Sequence, residues 1–282
     1  PVPPSLVDRL KREYDGVFAI PLSATRLDLF DRCPFAFFGR SLLGVEEGQW
    51  EPQRVNHLLI GALQHEVYQR FFTANPRLES GQDERYREEI LSLFDTVLNQ
   101  YFGERGPTPS IRAWMIGEHR EQMSGILSEE ERLFAGDTSV GFEEHFGYHN
   151  QGFYLNGLID RRIARGDNSF AVVDYKKGTP AMRKLTEAPQ SYQLLLYQDY
   201  VNSQLGSCSS AAYYSIKEQR YYALWNEAES LEAQLAATLF AQRLDSMQKA
   251  LAAGELMATP SKRSCERCGF EPCAEGGLQP HD

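Results

Sequence analysis

Long apolar runs are missing from this chain: none approaches the roughly 18 consecutive apolar residues that a membrane-spanning helix needs. No membrane partner is therefore expected. The opening residues, Pro1-Val2-Pro3-Pro4, lack an initiator Met and lack the basic-then-apolar pattern of an export signal. A domain cut from a longer polypeptide, in a reducing cytoplasm, is the expectation. Positive charge is scarce, with 29 Lys and Arg against 39 Asp and Glu and a formal net charge of −10. A protein that coats nucleic acid generically needs a basic footprint, so the overall charge argues against that class, an objection that weakens where charge is read locally. There is no G-x-x-x-x-G-K-[ST] phosphate loop, hence no recognisable ATP-driven motor. Repeats and low-complexity tracts are absent too. Cysteine is sparse, at five residues, and 282 residues can bury a full core without disulfides.

What is present is strong periodicity. Ser23 is suited to cap a helix whose apolar face includes Leu27, Phe30, Phe37 and Phe38. Helices are expected from about Ile60, over Gly81 to Gly103, and over Ile111 to Phe134, with Gly106-Pro107-Thr108-Pro109 as a break. The pattern then changes to period two. Val140–Tyr148, Phe153–Ala164 and Ser169–Tyr175 read as an antiparallel meander, divided at Asn150-Gln151-Gly152 and Gly166-Asp167-Asn168. A helix over Ala188–Leu205, strands over Ser210–Ile216 and Arg220–Trp225, and a helix over Glu227–Leu256 follow. The tail from Thr259 to Asp282 is loop-like. This order predicts a single α/β domain spanning 1–282. Its parts are a helical region and insertion (22–134), an α/β core (140–256) and a Cys-rich tail (259–282).

The chemistry concentrates on two strands. Asp174 and Lys176 are two apart and share a face, and a hairpin turning at 166–168 brings Asp160 beside Asp174. Two adjacent carboxylates repel unless a cation lies between them, and oxygen ligands suit Mg²⁺ or Mn²⁺. A lysine there can stabilise charge developing on water or phosphate. An isolated Asp-x-Lys is usually a solvated strand end; the joint placement of three groups makes the signal. From Asp160 to Lys184 the basic residues Arg161, Arg162, Arg165, Lys176, Lys177, Arg183 and Lys184 outnumber three acids. Glu143 and Glu144 open the first strand, and either could add a ligand.

Asp160 with Asp174-Tyr175-Lys176 resembles the paired motifs of the PD-(D/E)XK nuclease superfamily. Gly61-Ala62-Leu63-Gln64-His65 is similar to the Gly-x-x-x-His motif of its RecB/AddB-like branch, and Gln193-Leu194-Leu195-Leu196-Tyr197 to its Gln-x-x-x-Tyr motif. Leu22 to Leu27 with Cys33-Pro34-Phe35 resembles the branch's opening segment. The resemblance implies a restriction-endonuclease-like core, a mixed and largely antiparallel-meander sheet flanked by helices. It implies a Mg²⁺- or Mn²⁺-dependent deoxyribonuclease, an exonuclease on single-stranded DNA ends. His65, Asp160, Asp174 and the Tyr175 carbonyl would hold metal, and Lys176 would join Asp160 and Asp174 in catalysis. Gln193, Tyr197 and Arg161 would contact DNA or orient the site. A helicase partner or fused helicase region and a role in recombination and double-strand-break repair are implied as well. A CRISPR-associated four-cysteine nuclease and a catalytically silent DNA-binding scaffold are the alternatives.

Cys265, Cys268 and Cys273 have metal-ligand spacing, and Cys33 supplies a fourth thiol. This split resembles the iron–sulfur staple of AddB-type domains, which implies a [4Fe-4S] cluster; a structural Zn²⁺ site has the same ligands. Cys208, in an apolar strand, is expected to be a buried bystander.

Overall fold

The computed structural model describes residues 18–44, 57–103, 109–180 and 191–259, together with Cys265 and Cys268. The first element among the described residues is a strand that its pattern did not announce, β1 (Phe18–Leu22). Five residues containing Pro21 carry little local signal, and β1 pairs in parallel with a strand far along the chain. Helix α1 (Ala24–Arg32) then starts as expected, the Ser23 side chain accepting from Arg26 N. Short α2 (Pro34–Phe37) runs into a π turn over Phe38–Leu42.

Helices α3 (His57–Ala74) and α4 (Asp83–Phe102) pack against each other. The expected single helix over Ile111–Phe134 is instead broken. It comprises α5 (Pro109–Met115), a π turn (Ile116–Arg120), a 3₁₀ turn (Glu121–Gly125) and α6 (Ile126–Phe134). Two glycines weaken this stretch, and a Cβ at Gly125 would lie 2.5 Å from the Gln219 side chain. Tertiary packing therefore selects the break.

Strands β2 (Thr138–Asn150), β3 (Phe153–Ala164) and β4 (Phe170–Lys176) form the expected antiparallel meander. Helix α7 (Gln193–Gln204) leads to β5 (Cys208–Ser215), parallel to β4, and β6 (Arg220–Trp225) closes the sheet antiparallel to β5. Residues 188–190 of the helix expected over Ala188–Leu205 lie outside the described residues. The last helix, α8 (Leu231–Ala253), is shorter than expected at both ends. The Ser230 side chain caps its start through Ala233 N, and Gly254, in the left-handed conformation, ends it.

The result is a mixed α/β fold with a six-stranded sheet between helical layers. One core, with Leu27, Phe30, Val172, Leu196, Tyr213 and Phe240, lies under α1, α7 and α8. The other, with Leu63, Phe72, Phe94, Val173, Tyr175 and Tyr214, lies under α3 to α6. All eight residues of β5 are buried, as befits a strand covered on both faces.

The sheet is forked. β2 pairs with β3 along the whole length of one edge. On the other edge β3 meets β1 only through Phe153 and Leu155, and β4 only from Arg161 to Ala164. Between these partners, Asn156 to Asp160 have no strand beside them on that edge among the described residues. Facing also changes here. Phe153, Leu155 and Ile159 belong to one core, whereas Ile163, of the same parity, belongs to the other. Between Phe142 and Glu144, which pair with Arg161 and Ile159, Glu143 adopts a left-handed φ of 44°, unusual for a residue with a side chain.

Candidate active site

The fork is where the chemistry gathers. The β3–β4 ladder stops at Arg161 and Val173, and the next free amide, Tyr175 N, donates 2.7 Å to Asp160 Oδ2. A side-chain carboxylate thus takes the place of a backbone carbonyl, and the strands can diverge around it. From one face, α3 presents His65. Its Nε2 lies 3.1 Å from the Tyr175 carbonyl oxygen, and its Nδ1 lies 3.5 Å from both Glu143 Oε1 and Asp160 Oδ2. From the other face, α7 supplies Gln193 and Tyr197. Lys176 Nζ sits 2.6 Å from Asp174 Oδ2 and donates 2.8 Å to Gln193 Oε1. Gln193 Nε2 donates 2.9 Å to the Tyr197 hydroxyl, which in turn donates to Leu158 O in the fork and lies 3.3 Å from Asp174 Oδ1. The i, i+4 pair of α7 thereby connects Lys176 to the unpaired edge of β3.

Burial and mutual repulsion shift the proton affinities of these groups. Burial, followed by repulsion from Asp174, pushes the Asp160 carboxyl up to about 8. Burial also raises Asp174, against the opposing pull of Lys176. For His65 burial disfavours the charged ring, but Glu143, Asp160 and Asp174 outweigh it and carry the imidazole up to about 9. His65, Glu143 and Asp160 hold ligand atoms within 4.8 Å of one another, the one such three-residue group found among the described residues. Hard carboxylate oxygens with one imidazole fit a divalent cation of the Mg²⁺ or Mn²⁺ kind.

A family model described as the PD-(D/E)XK nuclease superfamily matches residues 21–273. The chain belongs to the PD-(D/E)XK nuclease superfamily. A search of curated proteins finds no match. Among solved structures, the chain is similar to a protein of Eubacterium rectale provisionally described as an exonuclease. The two share 14% identity and a TM-score of 0.45, over 93% of this chain and 90% of that one.

Of the residues expected at this nuclease's site, the fold gathers His65, Asp160, Asp174, the Tyr175 carbonyl, Lys176, Gln193 and Tyr197. It also separates Glu143 from Glu144. Glu143 turns to His65, while Glu144 pairs with Arg162 at 2.9 Å. Arg161 faces away from the cleft. Only 3% exposed, it meets Glu130 at 2.8 and 2.7 Å and Ser139 at 2.8 Å, and lies 3.5 Å over the Phe72 ring. A direct DNA contact from there is sterically closed, which leaves orientation as its compatible role. The basic zone is muted in the same way, because Arg162 meets Glu144 and Arg165 meets Asp137 at 3.3 Å. Arg183 and Lys184 lie outside the described residues.

Sequence inspection missed Asp28 on α1, which accepts 2.7 Å from Tyr192 N at the start of α7. Its burial pushes the carboxyl up to about 6. Nothing in its helical spacing distinguished it from a surface acid.

Among the described residues, Cys33, Cys265 and Cys268 are not gathered into a metal-ligand group. Cys33 is buried, and Cys265 and Cys268 are half-buried. A tetrahedral zinc site with Zn–S near 2.3 Å would hold sulfurs about 3.8 Å apart. These three thiols form no such group among the described residues, and Cys273 lies outside them. The tail does return toward Cys33, since Thr259 Oγ1 donates 3.1 Å to Arg32 O and Arg40 donates to Cys268 O. Cys208 is buried in β5, as expected.

Proposed function

We propose that this chain is a divalent-metal-dependent deoxyribonuclease acting as an exonuclease on single-stranded DNA ends. The observation that carries this reading is the crowding of Glu143 and Asp160 about His65, with Asp174 and Lys176 beside them in the fork. Carboxylates this close and this buried favour either protons or a cation. Glu143, Asp160 and His65 would hold the ion, with Asp174 and the Tyr175 carbonyl as neighbouring donors. A bound Mg²⁺ or Mn²⁺ supplies Lewis acidity toward a phosphodiester and its attacking water.

The remaining work falls to the chain's own groups. Lys176 offers a fixed positive charge to the oxygen on which negative charge develops. Gln193 keeps that ammonium from swinging into solvent, and Tyr197 braces Gln193 against Leu158 O. The resemblance to RecB- and AddB-like domains supports further roles: a 5′-phosphate product, a helicase supplying strands, double-strand-break repair and a cytoplasmic setting. Sequence spacing and the return of the tail toward Cys33 support a four-cysteine metal staple, distinct from the cleft.

Mg²⁺-dependent cleavage of an end-labelled single strand tests the reading. Asp160→Asn, Asp174→Asn and Lys176→Ala should each cut turnover by about 10²-fold or more. Glu143→Gln should raise the metal requirement, whereas Glu144→Gln should leave it near wild type. Unaltered turnover in Lys176→Ala would sink the mechanism.

A further inference from the structure

The β2–β3 ribbon extends well past the fork, and among the described residues one of its faces is exposed at His145, Gly147, His149 and Tyr154. Following the register, the cross-strand pairs on that face are His149 with Tyr154, Gly147 with Asn156 and His145 with Leu158, and the row leads on to Glu143 and Asp160, which the ladder passes over. Glu143 and Asp160 belong to the candidate metal cluster. The opposite face carries Phe146, Tyr148, Phe153 and Leu155 into the core. The open row therefore runs straight into the cleft, over roughly 20 Å from Tyr154 to Asp160 at the rise of a β-strand.

Three properties of this row point to one kind of occupant. It is aromatic at its far end, where Tyr154 is 37% exposed and its ring centroid lies 5.2 Å from that of His149. It is smooth in the middle. Gly147 has no side chain, and a Cβ there would collide with the Tyr154 hydroxyl, so the tyrosine leans along the ribbon. It is also free of carboxylates between the β-turn and Glu143, in a chain whose net charge is −10. An acidic protein that spares one strip leading to its acidic site leaves a path open to a polyanion. Lysine and arginine are missing from the strip as well, so the grip must come from base stacking more than from phosphate pairing. A duplex shows its base edges but buries its base faces, whereas a single strand can stack on an exposed ring.

We propose that this face is a track for single-stranded DNA, with Tyr154 as a base-stacking platform upstream of the cleft. The inference rests on the nuclease reading and adds the route by which substrate reaches it.

Fluorescence anisotropy of labelled dT20, with Ca²⁺ in place of Mg²⁺, tests the track. Tyr154→Ala should weaken binding about tenfold, in the range measured for loss of one stacked base, while Tyr154→Phe should stay within about twofold of wild type. The logarithmic salt slope should be shallow in both proteins. Thermal melting confirms that each variant is folded. If Tyr154→Ala binds dT20 as wild type does, or Tyr154→Phe loses as much as Tyr154→Ala, the track is overturned. If that happens while wild type still cleaves DNA, the nuclease reading survives alone. A wild-type chain that neither binds dT20 nor cleaves DNA overturns both.

Discussion

His65 is held within 3.5 Å of two carboxylates, and that crowding couples its proton to any cation that enters. The surrounding carboxylates raise the imidazole to about 9, and burial with Asp174 beside it raises Asp160 to about 8, so a proton is shared across this group at neutral pH. A cation needs both in their deprotonated forms. Binding therefore releases protons at neutral pH, and affinity should rise as pH climbs from 6.5 towards 9. The gain is about tenfold per unit for each proton released. Calorimetric titration with Mn²⁺ in buffers of different ionisation enthalpy reads the release directly. A pH-independent affinity with no buffer dependence would contradict this electrostatic account. Glu143 contributes through its backbone as well: its left-handed conformation is tolerated where it aims a carboxylate at the cluster.

At the scale of elements, the site depends on how α7 is docked. Asp28 on α1 accepts from Tyr192 N, just ahead of Gln193, and Asp31 holds Arg243 of α8 in an ion pair. One short helix thus anchors the start of the helix that steadies Lys176. Removing the acceptor with Asp28→Ala should cost about 1 kcal/mol, as for loss of a helix cap, and should lower kcat by loosening Gln193. Asp28→Asn keeps an acceptor and removes a charge that is costly to bury. The sign follows from the raised carboxyl. Folding disfavours its ionised form, so wild-type stability is lost as pH rises from 3.8 through about 6 and is constant above that window. The melting temperature of Asp28→Asn relative to wild type should therefore rise between pH 4 and 6.5 and then level off. A difference that shrank over that window would refute the assignment of burial as the cause.

At the scale of the whole molecule, two cores lie on opposite faces of one sheet, and Thr259 and Cys268 return to the segment of α1 and α2, which contains Cys33. A metal shared by Cys33, Cys265, Cys268 and Cys273 would close a loop of more than two hundred residues and remove chain entropy from the unfolded state. Cys33→Ser and Cys268→Ser should then lower thermal stability and expose the tail to proteolysis, with activity lost only as a consequence. Iron and zinc analysis of anaerobically purified protein identifies the metal. A metal-free protein whose tail is equally stable in Cys268→Ser would end the staple idea.

Strand alternation, helix periodicity and motif spacing were sufficient to locate β2, β3, β4 and most helices, because these are local properties of the chain. They also placed Asp160, Asp174 and Lys176 together, since a hairpin register is set by its turn and its pleat. Four other features depended on contacts between distant residues. β1 exists through its pairing with β3, and the break between α5 and α6 through the approach of Gln219 to Gly125. Glu143 was selected over Glu144 by the turn of its backbone at the fork. Arg161, adjacent to an active-site acid and basic on paper, is buried because Glu130 and Phe72 arrive from helices far away in sequence. A sequence records which groups are available; burial and pairing decide which of them keep a free charge.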